Sequence, residues 1–194
     1  MDSLSEAVQI ERMLREHQPA LAGFVQRRVA NWPPGLPDQD DILQELYMRA
    51  KERWQAFLHS DGITPRVWLF RLARDVISDV WENATARKRG LGQVQALATD
   101  SRQGEAEQLA ESFSSVGSRI ARQELAQFAA AMLAELKDSY REVLTLRHLD
   151  GMSVEETARY LEQPLDTVRT REFRATVKLR EIWKQRFPGQ SFRL

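Results

Sequence analysis

The segment TVRTREFRATVKLR, Thr167 to Arg180, gathers Arg169, Arg171, Arg174, Lys178 and Arg180 into fourteen residues, opposed only by Glu172. A guanidinium group presents a planar fork of donors that fits a phosphate or the O6/N7 edge of guanine, and a lysine supplies a mobile point charge. Phe173 and Thr170 add an apolar ring and a hydroxyl of the kind that meet a thymine methyl or a phosphate. The chemistry on offer is therefore recognition of a polyanion. Three readings fit such a segment: a solvated helix face, a helix lying on a membrane surface, and a helix that enters DNA.

Other chemistry is poorly supplied. The chain has no cysteine, which excludes disulfides, thiolate nucleophiles and cysteine-held zinc. His17, His59 and His148 are far apart and share no ligand spacing, so no metal site is expected. Gly90-Leu91-Gly92 sits in polar sequence and looks like a helix stop rather than a phosphate cradle. No nucleophile and base fall into a catalytic pattern, and neither an enzyme nor a cofactor is expected. The 194 residues carry 28 basic and 28 acidic side chains, a balance that argues against tight non-specific binding to nucleic acid. The start lacks the basic and apolar regions of a signal peptide, and no apolar run approaches the roughly 18–20 residues that span a bilayer. A soluble, cytoplasmic protein without membrane insertion is the expectation.

The basic segment needs a scaffold, and the pattern around it is helical throughout. Ser153 opens a capping box with Glu156 three residues on, and Val154, Thr157, Ala158 and Leu161 share one side of the short helix that follows. Glu162-Gln163-Pro164-Leu165 breaks it, with Pro164 as the stop signal, and a longer helix begins near Leu165. Two helices joined by a turn of this length make a helix-turn-helix, whose second helix lies in the major groove. At about 100° per residue, Val168, Ala175, Leu179 and Ile182 fall on one side, with Trp183 at the margin. Arg169, Thr170, Phe173, Arg174, Lys178 and Arg180 spread over the rest. The apolar stripe is too narrow for a membrane helix, and the capped helix ahead of it shifts the weight to DNA. Glu172 projects within about 40° of the stripe. It could reach the rim and pair with an arginine.

Upstream, a first helix spans about Ser5 to Val29 and ends before Asn31-Trp32-Pro33-Pro34. Asp38 looks like the N-cap of a second helix, with Ile42, Leu43, Leu46, Tyr47 and Ala50 at helical spacing out to about Phe57. Thr64-Pro65 starts a third, carrying Val67, Trp68, Phe70, Leu72, Val76, Ile77 and Val80. Residues 90–118 are rich in glycine, serine, glutamine and acid, and read as a flexible linker. About 28 residues at ~3.3–3.6 Å each could reach roughly 90–100 Å. Further helices are expected over about 119–136 and 139–149. The fold class is all-α: two small helical domains, 1–89 and 119–194, joined by a linker at 90–118.

At this point the residues resemble a family. LAELKDSYREVLTLRHLDGMSVEETARYLEQPLDTVRTREFRATVKLR resembles region 4 of bacterial sigma factors of the extracytoplasmic-function group. DQDDILQELYMRAKERWQAF is similar to their regions 2.1–2.2, and TPRVWLFRLARDVISDVWENATARKR to regions 2.3–2.4. The blocks come in the family's order, and the resemblance spans about 140 residues of the chain. The resemblance implies a subunit that binds core RNA polymerase and directs promoter-specific initiation. The first domain would dock on the β′ clamp helices and bind the −10 element; the second would dock on the β flap and read the −35 element. An anti-sigma partner stays open.

Carried over by position, the resemblance implies polymerase contacts at Asp38, Asp40, Asp41, Gln44, Glu45, Tyr47, Met48 and Arg49. Capping and the helix dipole would by themselves account for Asp38 and Asp41. The −10 strand would meet Arg71, Arg74, Asp75, Ser78, Arg87, Lys88 and Arg89, whereas packing is the simpler role for Trp68. The −35 groove would meet Arg169, Thr170, Arg171, Phe173 and Arg174, with Lys178 on phosphate. Several positions depart from the family pattern: Asp75 stands where asparagine is usual, Asp166 where glycine is, Glu172 where leucine is and Thr176 where arginine is. A stand-alone helix-turn-helix regulator with an N-terminal sensing or dimerising module is the alternative. It leaves the acidic Asp38–Glu45 cluster without a task.

Overall fold

The computed structural model describes residues 3–60, 62–90 and 131–188, the side chains of 3–5 and 87–90 excepted. The chain divides into two compact units, Met1–Ser101 and Arg102–Leu194. Past Gly90, the expected linker lies outside the described residues, as does most of the helix expected over 119–136. Among the described residues all regular structure is helical, and no helix is long and apolar enough to cross a membrane.

The first unit contains α1 (Ser3–Val29), α2 (Gln39–Glu52), α3 (Trp54–Leu58) and α4 (Pro65–Gly90). Helices α1, α2 and α4 pack on one another pairwise. Their shared core holds Leu21, Phe24, Val25, Ile42, Leu46, Ala50, Val67, Phe70, Leu72 and Val76, all at most 2% exposed. Phe24 and Phe70 meet edge to face with ring centroids 4.8 Å apart, a geometry that the ring quadrupoles favour.

Helix α2 starts where its cap was expected. The Asp38 carboxylate accepts from the Asp40 and Asp41 amides at 2.9 and 3.0 Å, and Asp41 accepts from the Asp38 amide at 3.1 Å. Two otherwise orphaned amides are satisfied at the positive end of the helix dipole. Asp38→Ala is expected to lower the stability of this unit by about 1 kcal/mol, measured as a reduced urea midpoint. The helix does not run on to Phe57 as its periodicity suggests. Arg53 leaves helical geometry (φ −96°, ψ 8°), and α3 restarts at Trp54. The break is cheap because the Arg53 amide still bonds the carbonyls of Arg49 and Lys51. Beyond it, Phe57 stacks on Trp68 of α4 at 4.5 Å and Trp54 meets the same indole at 6.4 Å. Trp68 is thus half-buried in an aromatic cluster, the packing role expected of it.

The second unit, as described, begins with a helical turn at 131–134 and continues through α5 (Asp138–Leu144), a π-helical turn (Thr145–Leu149), α6 (Val154–Leu161) and α7 (Leu165–Arg186). The stretch expected to be one helix over 139–149 changes pitch at Thr145. The Asp150 amide reaches back five residues to the Thr145 carbonyl at 3.0 Å. Such widened turns re-aim the side chains that follow, and here Thr145 and Leu146 are buried while Arg147 is half-buried. Helix α6 begins on the expected capping box: Glu156 N–H to Ser153 Oγ at 3.0 Å, Ser153 N–H to Glu156 Oε2 at 2.8 Å. Its stop is Glu162, not Pro164. Glu162 takes the left-handed conformation (φ 54°), and the Gln163 amide closes onto the Ala158 carbonyl at 3.0 Å. Pro164 instead opens α7, its carbonyl accepting from the Thr167 and Val168 amides.

Candidate nucleic-acid interface

Helix α7 presents two faces. Val168, Ala175, Leu179 and Ile182 are buried, as their projection requires, and Trp183 is half-buried beside them. Ala175, Leu179 and Ile182 join Met132, Leu133, Leu136 and Leu144 in one cluster. Val168 joins Val143 and Ala158 in another, which clamps the start of α7 against α6. The opposite face carries Arg169, Thr170, Phe173, Arg174, Lys178 and Arg180, all exposed, with Arg171 half-buried on the flank. Phe173 is 70% exposed, and only a handful of large apolar side chains among the described residues share that state. An exposed phenyl ring between arginines, in the first half of such a helix, is suited to contact with a base methyl.

The cations of this face are held loosely. Arg169 lies 3.8 Å from both Glu155 and Asp166, and Lys178 lies 3.9 Å from Glu181. All of these partners are more than half exposed, so the pairs are weak and exchange readily for phosphate or base. Glu155 sits in the first turn of α6, where a backbone hydrogen bond, then Ser153, then the charge of Arg169 hold its carboxyl below the ordinary range.

Glu172 has a physical account. Its Oε1 accepts from Arg147 Nε at 2.9 Å, and His148 Nε2 is 3.9 Å away. Arg147 also donates to the Met152 carbonyl. One guanidinium therefore ties together α7, the π-helical turn and the approach to α6. Burial pushes the His148 imidazole below its usual range, against the pull of the Glu172 charge. Neither Arg147 nor His148 stands out by periodicity.

In the first unit the residues expected to act together separate into layers. On α2, Asp38, Asp40, Asp41, Gln44 and Met48 are exposed, with Met48 at 52%. Tyr47 is half-buried and its hydroxyl is raised above the usual phenol range by that burial. Glu45 and Arg49 are engaged with each other at 2.7 Å, and Arg49 also reaches Asp79 of α4 at 2.5 Å. Hydrogen bonds to Asp79, then to Glu45, raise Arg49 further above its already high range. On α4, Arg74 lies 3.2 Å from Asp75, Ser78 donates to Glu82 at 3.2 Å, and Arg71 is half-buried. Side chains of Arg87, Lys88 and Arg89 lie outside the described residues. No group of His, Asp or Glu among the described residues is arranged to hold a metal ion.

A four-helix unit with an exposed acidic helix, followed by a helix-turn-helix with a basic exposed face, defines a two-part promoter-recognition protein. Residues 13–87 match the family Sigma-70 region 2 and residues 129–179 match Sigma-70, region 4. The chain is 28% identical over 182 residues to the ECF RNA polymerase sigma-E factor of Escherichia coli K12, covering 90% of this chain and 92% of that one. Among solved structures it resembles the sigma factor RpoE of Bartonella quintana in complex with the anti-sigma factor NepR. That likeness has a TM-score of 0.53 at 21% identity over 91% of this chain and 97% of that one. CnrH, solved with the cytosolic domain of CnrY, matches with a TM-score of 0.50 at 24% identity, over 91% and 88%. The chain belongs to the sigma-70 family, as a sigma factor of the extracytoplasmic-function group. It works with core RNA polymerase and directs transcription initiation at specific promoters.

Proposed function

We propose that the two units divide that work by residue as follows. The exposed side of α2, with Asp38, Asp40, Asp41, Gln44 and Met48, docks on the β′ clamp helices of the cytoplasmic polymerase. Tyr47 and Glu45 shape that side from beneath, whereas Arg49 turns inward to Asp79 of α4. Helix α4, through Arg71, Arg74, Asp75 and Ser78 and with the basic run Arg87, Lys88 and Arg89, engages the −10 strand. Helix α7 enters the −35 groove with Arg169, Thr170, Arg171, Phe173 and Arg174, while Lys178 neutralises a phosphate and the unit rests on the β flap. The domain limits 1–89, 90–118 and 119–194 follow this division. The observation that carries it is the pairing of an exposed acidic helix with a separate, exposed arginine face. Because two relatives of the same fold are known in complexes, one of them with the anti-sigma factor NepR, an anti-sigma partner belongs to the proposal.

Run-off transcription on a genomic fragment library tests the reading. Core polymerase with this protein is expected to produce specific transcripts that core alone does not. The side chains of Asp40, Gln44 and Met48 are exposed and take no part in the cap, to which Asp40 contributes only its main-chain amide, a group alanine keeps. Replacing all three by alanine is expected to weaken core binding by roughly tenfold or more. Tight promoter binding by the free chain without polymerase-dependent transcripts would favour a stand-alone regulator.

A further inference from the structure

Arg49 sits in the α2 segment assigned above to polymerase, yet its side chain is only 21% exposed and bridges inward. Nε donates to Glu45 one turn earlier on α2, and Nη1 donates to Asp79 on α4. A single cation thus joins the proposed docking helix to the proposed strand-binding helix. The charge around it gives the bridge a second consequence. Beyond Arg74, which is paired with Asp75 at 3.2 Å, the outward side of α4 carries Ser78, Asp79 and Glu82. Asp79 is 51% exposed and faces solvent on that side. Without Arg49 it would present an uncompensated carboxylate to a polyphosphate backbone, which repels at short range.

We propose that Arg49 is a positioning residue for promoter opening: it neutralises Asp79 and fixes α4 to α2, and it does not itself contact polymerase. The proposal rests on the reading of α2 as the docking helix and α4 as the strand-binding helix. Glu45 completes the device by holding the guanidinium from the α2 side, so that the cation stays aimed at α4.

The test uses the full chain with core polymerase. Core affinity is measured by fluorescence anisotropy, and opening by permanganate reactivity of unpaired thymines in the −10 region. Arg49→Ala is expected to leave core affinity within about twofold. It is expected to reduce opening by roughly tenfold, the scale of one charge left uncompensated near a protein surface. Asp79→Asn in the Arg49→Ala background removes the exposed carboxylate and is expected to restore most of the opening. Arg49→Gln, which keeps a neutral hydrogen-bonding side chain in place of the charge, guards against loss of fold; it is expected to show the same opening defect and the same rescue, with helicity unchanged by circular dichroism. A fall in core affinity with Arg49→Ala, wild-type opening by Arg49→Gln, or an opening defect that Asp79→Asn does not relieve overturns the proposal. Failure of the docking reading is seen separately, as wild-type core affinity in the Asp40, Gln44 and Met48 triple variant.

Discussion

Initiation from a promoter that depends on its −35 element is expected to fall by roughly a hundredfold when Arg169 and Arg174 are both replaced by alanine, each bidentate base contact contributing about 1–3 kcal/mol. Core affinity is expected to stay unchanged. Both arginines stand on the exposed face of α7, away from the stripe of Val168, Ala175, Leu179 and Ile182 that holds the helix in place. Their removal therefore leaves the packing intact. Arg169 must first leave Glu155 and Asp166, both at 3.8 Å. Pairs so exposed are worth at most about 1 kcal/mol, so they do not offset a base contact. Lys178 offers a contrast within the same helix. Its loss should weaken all promoters alike and reduce the salt dependence of binding by about one phosphate contact. Run-off transcription from paired promoters, with and without the −35 element, separates the cases. An equal loss on both promoters for the double arginine variant would remove α7 from the −35 groove.

What the sequence shows of this architecture, and what it hides, follows from range. The stripe and the recognition face of α7 repeat at the pitch of one helix, so Val168, Ala175, Leu179 and Ile182 can be projected inward without any knowledge of the neighbours. The N-cap at Asp38 and the capping box at Ser153 close within three residues and are visible in the same way, although the return bond from Asp41 to Asp38 is seen only in the fold. The break at Arg53 and the π-helical turn at Thr145 are not, because each substitutes one main-chain bond pattern for another at little local cost. Glu162 replaces the expected stop at Pro164 for a similar reason: a non-glycine residue in the left-handed region costs about 1–2 kcal/mol, which local preference counts against and the closing bond from Gln163 helps to offset. Ion pairs are the least visible of all. Arg147 is 25 residues from Glu172 and Arg49 is 30 from Asp79. Nothing within one helix signals either partner. Each pair ties a helix that bears a proposed site to a second element, so the residues that aim the site are the ones hardest to read from composition and spacing.

The Arg147–Glu172 pair allows the sharpest energetic test of that point. Arg147→Ala is expected to destabilise the second unit by about 2–3 kcal/mol, the value of a charge-assisted hydrogen bond together with the cost of leaving its partner unpaired. The side chains are 25% and 21% exposed, which places them between a surface pair and a buried one. Alanine also strips the Met152 carbonyl of its donor, so the π-helical turn loosens along with the α7 contact. Glu172→Leu alone should cost less, since Arg147 keeps the Met152 carbonyl and can swing toward water. In the double variant, Arg147→Ala with Glu172→Leu, the leucine extends the apolar stripe beside Val168 and Ala175, and no half-buried carboxylate remains. Replacing an ion pair by apolar groups is often close to neutral, so the double variant should be more stable than Arg147→Ala alone. Urea unfolding followed through a fluorinated Trp183, the one tryptophan of the second unit, reports this unit without interference from the first. Additive losses in the two single variants would show that Glu172 and Arg147 act independently, and that the orientation of α7 rests on its apolar stripe alone.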